Sequence, residues 1–155
     1  MIRQATAEDV PRMVALSDQR RTAYQQYQPT FWRKAADANE KQQVYFETLL
    51  ERADYLALVH EANGEVEGFV IAGFIPTPPV YDPAGATCLI DDFAVSNMRL
   101  WATVGRALLD AASTWARDNG AAQMVVIAGH HDELKRKMLA GQPYSIASEW
   151  WVSDI

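Results

Sequence analysis

The sequence predicts an α/β fold of the α+β kind, with a mixed, mostly antiparallel central sheet, one parallel strand pair and about four flanking helices. Three observations lead there. Two β-rich runs, Tyr55 to Glu61 and Glu65 to Phe74, flank Asn63-Gly64, a two-residue hairpin signal that makes them antiparallel neighbours. From Thr87 onward the pattern passes from an apolar strand to a period of 3.6 residues and back to an apolar strand, which reads as a right-handed parallel crossover. A chain of 155 residues with 49% apolar content is about one domain's worth, so residues 1–155 are expected to form a single domain.

In chain order, Ile2 to Ala5 alternates as a short strand, and Thr6 with Asp9 supplies a helix start. A helix of about Ala7 to Gln26 follows, carrying Met13, Val14 and Leu16 inward and closed by Pro29. Tyr24, Tyr27, Phe31 and Trp32 cluster at its end, as either a core edge or one wall of a ligand pocket. Asp37 to Arg52 is a second helix with Val44, Phe46, Leu49 and Leu50 on its inner side. After the hairpin, Pro76, Pro78, Pro79 and Pro83 make residues 75–86 a loop with Tyr81 and Asp82 at its tip. Thr87 to Val95 is a strand, a long helix runs from Gly105 past Trp115, and Asn119-Gly120 stops it. Gln123 to Ala128 is a strand of parallel-sheet type, His131 to Ala140 a short helix, and Tyr144 to Val152 a last strand.

Charge and composition narrow the function. With 14 basic and 20 acidic residues the net charge is −6, which argues against a nucleic-acid binder and suits cationic or neutral ligands. No apolar run reaches the roughly 20 residues of a membrane span, and MIRQATAEDV lacks a signal-peptide core, so no membrane partner and a cytoplasmic location are expected. Cys88, alone and in an apolar strand, is a small buried hydrophobe rather than a nucleophile. His130 and His131 point apart and lack further ligands at zinc spacing, so no metal site is expected. His131-Asp132 reads as a helix cap or a surface turn, and Lys135-Arg136-Lys137 as a solvated face.

The unusual stretch is Thr87 to Trp115. Asp91 and Asp92 interrupt an apolar strand, and alternation would send them to opposite faces. Strand, connection and helix N-terminus together form an anion site, because the first turn of a helix leaves its N–H groups free.

With the element order in view, the opening IRQATAEDV and the segment LIDDFAVSNMRLWATVGRALLDAA resemble the GNAT superfamily of N-acetyltransferases over essentially the whole chain. The resemblance implies a sheet whose parallel strands splay to admit acyl-CoA, with acetyl-CoA as co-substrate. It implies that Phe93, Ala94 and Val95, at the strand end, bind the cofactor together with Arg99, Thr103, Val104, Gly105 and Arg106 of the loop that cradles the pyrophosphate. Gly105-Arg106-Ala107-Leu108-Leu109 matches the family's helix start, whereas Leu100 and Thr103 stand where its loop has Gln or Arg and a first glycine.

The implied reaction is acetyl transfer to a primary amine of a small molecule or an exposed amino group, by direct attack on the thioester. Such a reaction needs a base for the amine and a donor for the leaving thiolate, each typically worth about 10²–10⁴ in rate. Asp91 and Asp92 are the candidates for the base, and the pair with Phe93 is similar to that of spermidine/spermine acetyltransferases. The family's donor tyrosine falls at Lys137, so Tyr144 is the candidate donor, unless it is a core or pocket-wall aromatic. Tyr24, Tyr27, Trp32, Tyr81 and Glu149 are the candidate acceptor pocket, since carboxylates among aromatics suit a cationic amine. Of Trp150 and Trp151 one is expected to be buried by the sheet, leaving the other for a homodimer contact or a pocket edge. The alternative is a catalytically degenerate ligand-binding or interaction module on the same fold.

Overall fold

A computed structural model describes all residues 1–155. Five strands form one sheet in the order β1-β2-β3-β4-β5: β1 (Ile2–Gln4), β2 (Tyr55–Ala62), β3 (Glu65–Ile75), β4 (Ala86–Val95) and β5 (Ala121–Val126). Neighbours pair antiparallel except β4 and β5, which are parallel. Four helices flank the sheet: α1 (Val10–Tyr27), α2 (Ala38–Leu50), α3 (Val104–Asp118) and α4 (Glu133–Ala140). The hairpin turn has Asn63 at φ 52° and Gly64 at φ 78°, the left-handed pair that a two-residue turn between twisted strands requires.

The sheet separates two cores. Val10, Met13, Leu16, Phe46 and Leu49 of α1 and α2 pack on Val59, Phe69, Ile71 and Ala94. On the other face Leu108, Leu109, Ala112 and Ala116 of α3, with Met138 of α4, pack on Val70, Cys88, Ile90, Phe93 and Val95. Helix α3 is held by this apolar stripe, which recurs at three- and four-residue intervals.

Four expectations change. No strand forms between Tyr144 and Val152: the segment is held through side chains, Phe31 against Trp150 at 5.7 Å and Thr30 Oγ1 donating to Asp154 at 3.0 Å, and no strand of the sheet offers it a ladder. Both Trp150 and Trp151 are exposed as a result. Strand β5 is therefore an edge rather than a sheet interior, with Gln123 and Val125 open to solvent. In α2, Val44 points outward, because Phe46 and Leu49, three residues apart, take the inner face.

Candidate active site

The site begins where β4 and β5 part company. Their pairing ends at Ile90 with Val126, yet β4 runs on for five more residues, through Asp91 to Val95. Carbonyls that face the gap beyond that point have no strand opposite on that side, and a buried carbonyl must find another donor. Two side-chain cations supply it. Arg20 of α1 donates to the Phe93 carbonyl at 3.2 Å, and Lys135 of α4 donates to the Ile127 carbonyl at 2.8 Å. The gap between the strands is thus bracketed by one cation from each layer of helices.

A bulge decides where the acidic pair points. Against β3, Ile71 faces Asp92 and Ala72 faces Ile90, so Asp91 is the extra residue. The expected alternation is lost, and both carboxylates reach the α1 and α2 side. Asp91 accepts from the Tyr45 hydroxyl at 2.8 Å. Asp92 is buried; Oδ1 accepts from Ser17 at 3.2 Å and pairs with Arg20 at 3.0 Å, and Oδ2 accepts from Gln42. Asp92 is therefore fully engaged, while Asp91 has one oxygen with no protein partner. Burial and the Asp91 charge push the Tyr45 phenol up, which keeps it a donor.

On the α3 side, the connection after β4 winds into a 3-10 turn over Met98–Ala102, capped by the Asn97 side chain accepting from the Arg99 N–H at 2.9 Å. Trp101 from this turn is buried, its ring 4.7 Å from that of Phe93. A Cβ on Gly105 would stand 2.5 Å from the Trp101 ring. Gly105 thus makes room for the indole. Between this turn and α4 lies a cleft of about 290 Å³ lined by Arg99, Trp101, Arg106, Lys137, Met138 and their neighbours. Three of its side chains are cationic and none is a carboxylate. Neither Arg99 nor Lys137 has an ion-pair partner, and Arg106 has only a loose one, Asp110 at 3.8 Å. In a chain of net charge −6, this is a positive anion-sized recess beside the free N–H groups that open α3.

The aromatic candidates are partly united. Tyr24, Tyr27, Trp32, Phe31 and Trp150 form one chain of ring contacts, with centroids 4.6 to 5.8 Å apart, and Tyr27 continues it to His131 at 6.1 Å. Glu149 is exposed on the segment next to Trp150. Tyr81 is elsewhere, in a cavity of about 430 Å³ with Thr77, Pro78 and Gln123, near the start of β4 rather than its end. Tyr144 lies against α3 and the paired part of β5, its hydroxyl 3.4 Å from Ser113 Oγ and 3.9 Å from Met124 Sδ. Thr103 is exposed, while Val104 is buried against Gly68.

Sequence reasoning passed over Arg20 and Trp101, and it placed Lys135 on a solvated face, whereas Lys135 is buried and donates to the Ile127 carbonyl. Lys135 had a signal: it shares a helical face with Met138, three residues on, and that face carries α4 into the core. Asp132 does act as the expected cap, accepting from the Lys135 N–H at 3.3 Å.

Beside this gap and recess stands a sequence match: the model of the acetyltransferase (GNAT) family matches residues 17–137. The chain belongs to that family. It is 29% identical over 143 residues to the uncharacterised N-acetyltransferase YhfO of Bacillus subtilis, covering 92% of this chain and 88% of the relative. Two solved structures share the fold. A variant of the BH1408 protein from Bacillus halodurans superposes with a TM-score of 0.86 at 14% identity, covering 100% of this chain and 99% of its own. A predicted acetyltransferase with acetyl-CoA from Clostridium acetobutylicum gives 0.77 at 16% identity, covering 99% and 95%. No helix of this family member is long and apolar enough to cross a membrane.

Proposed function

We propose that this GNAT-family protein transfers an acetyl group from acetyl-CoA to a primary amine of a small molecule or an exposed amino group. The observation that carries the reading is the cationic cleft of Arg99, Arg106 and Lys137, whose wall residue Trp101 packs on Phe93 of β4, beyond the point where β4 parts from β5. Acetyl-CoA brings an activated acyl group and a polyphosphate handle. The handle suits the three cations and the free amides of Val104, Gly105 and Arg106, and the strand edge at Phe93, Ala94 and Val95, which lies beyond the last pair with β5, suits the amide-bearing arm.

On the opposite face, Asp91 is the base we assign to the amine, because it keeps a free oxygen. Asp92 positions Arg20 rather than accepting the proton itself. The arc of Tyr27, Trp32 and Trp150, with Glu149 beside it, forms the wall for a cationic acceptor, and Tyr24 supports it from behind. Tyr81 lies too far along the sheet to join this wall. The −6 net charge favours a cationic small molecule over nucleic acid, and the exposed Trp151 leaves a surface for a second copy.

A thermal shift with acetyl-CoA tests the reading. Ligand at about a hundredfold over Kd raises stability by about 2.7 kcal/mol, and R99A/K137A is expected to lose most of that gain. No shift with the wild-type protein at millimolar acetyl-CoA overturns the reading. Binding without turnover across amines, polyamines, amino acids and aminoglycosides would instead support a ligand-binding module.

A further inference from the structure

Lys135 sits in the first turn of α4 and is only 1% exposed. Its ammonium donates to the Ile127 carbonyl at 2.8 Å and has no carboxylate in ion-pair contact. An ammonium carries three hydrogens, so two remain without a protein acceptor. Around it stand the rings of Trp101 at 5.1 Å and Phe93 at 5.2 Å. Ring faces support a desolvated cation by about 2 kcal/mol or somewhat more, which only partly offsets the several kcal/mol that desolvation costs. Packing alone would be served better by an apolar side chain of the same length. The charged groups that face Lys135 are Arg20 from α1, Asp92 from β4 and Asp132 before α4. Burial pushes its ammonium down to about 7, Arg20 adds to the lowering, and Asp132 and Asp92 oppose it.

Its position is also informative. Lys137 lines the cationic cleft, and Lys135, on the same helix, lies deeper, at the gap between β4 and β5. The other proton donors nearby are spent or unsuited. The Tyr24 hydroxyl is committed to Asp132, Tyr144 stands beside the paired strands, and the guanidinium of Arg20 does not release a proton.

We propose that Lys135 is the proton donor to the CoA sulfur when the thioester is cleaved, a role that rests on the acetyltransferase reading above. As the amine nitrogen bonds to the acetyl carbon, the C–S bond breaks and sulfur leaves with the bonding pair. The proton on Lys135 Nζ passes to that sulfur and yields the free thiol. The proton lost by the amine leaves through Asp91, and solvent restores the proton to Lys135.

The test needs no acceptor. A thiolate beside Lys135 holds that side chain protonated and is stabilised by it in turn, which lowers the pH at which the thiol of bound CoA ionises, and ultraviolet absorbance of the thiolate reads this directly. The chain's own thiol, Cys88, is buried and pushed up, so it contributes a constant background. Wild-type protein saturated with CoA is expected to ionise the thiol at least about tenfold more readily than free CoA. K135M is expected to abolish the shift, and K135R, which retains the charge, to keep it. An unshifted thiol in the wild type overturns the proton donor and leaves the acetyltransferase reading standing, as does an equal shift in K135M. Loss of the shift in K135R as well as K135M marks a packing effect and also overturns it. Failure of the wild-type protein to bind CoA removes both.

Discussion

The Tyr24 hydroxyl donates to Asp132 Oδ2 at 2.7 Å and accepts from the Gly129 N–H at 3.1 Å, tying the last turns of α1 to the start of α4. Burial and Asp132 hold this phenol well above its ordinary range, so it remains a donor. The helix it braces carries both Lys135 and Lys137.

Tyr24→Phe leaves a buried carboxylate oxygen and a buried N–H without this partner. The variant is expected to lose about 1–3 kcal/mol of stability in urea unfolding, with a lower midpoint and an unchanged slope. A midpoint equal to that of the wild type would show that the bond does not brace α4.

Gly105→Ala puts a methyl group 2.5 Å from the Trp101 ring. The indole has little room to yield, packed as it is on Phe93 at 4.7 Å. A cost of about 1–3 kcal/mol is expected, and most of it should vanish in a Trp101→Leu background, where the obstacle is gone. Equal costs in both backgrounds would place the strain in the backbone instead.

Asp9 is held at about 2, below its ordinary 3.8, chiefly by hydrogen bonds from the Arg3 guanidinium at 2.7 and 2.8 Å. A depressed carboxylate contributes its full stability above its unfolded value and loses it as the pH falls through the folded one. Between about pH 4 and pH 2 the wild type should therefore lose about 1–2 kcal/mol that Asp9→Asn does not lose. Parallel stability curves for the two proteins would contradict this.

Much of the fold could be read locally. The Asn63-Gly64 turn, the periodic stripe of α3 and the order of strands 55–95 all rest on preferences that a few adjacent residues express. The last strand could not, because Tyr144 to Val152 has strand-like alternation but a ladder depends on a partner lying alongside. The strand, turn and helix start that carry Arg99 and Arg106 were legible from the pattern, but the wall that α4 adds to their recess was not. The face that Asp91 shows was not, since a bulge depends on register with β3, set by residues about 20 positions earlier in the chain.

By itself, then, the sequence determined most of the elements and the strand, turn and helix start that carry Arg99 and Arg106, since these follow from short-range spacing, and its element order carried the family resemblance. Only the tertiary structure decided which charges the site holds. Lys135 reads as part of a solvated face, and Arg20 carries no signal, until α1 and α4 close on a sheet whose last two strands diverge. Unpaired carbonyls at that divergence need donors, and burial then gives Lys135 a proton it can release near neutral pH.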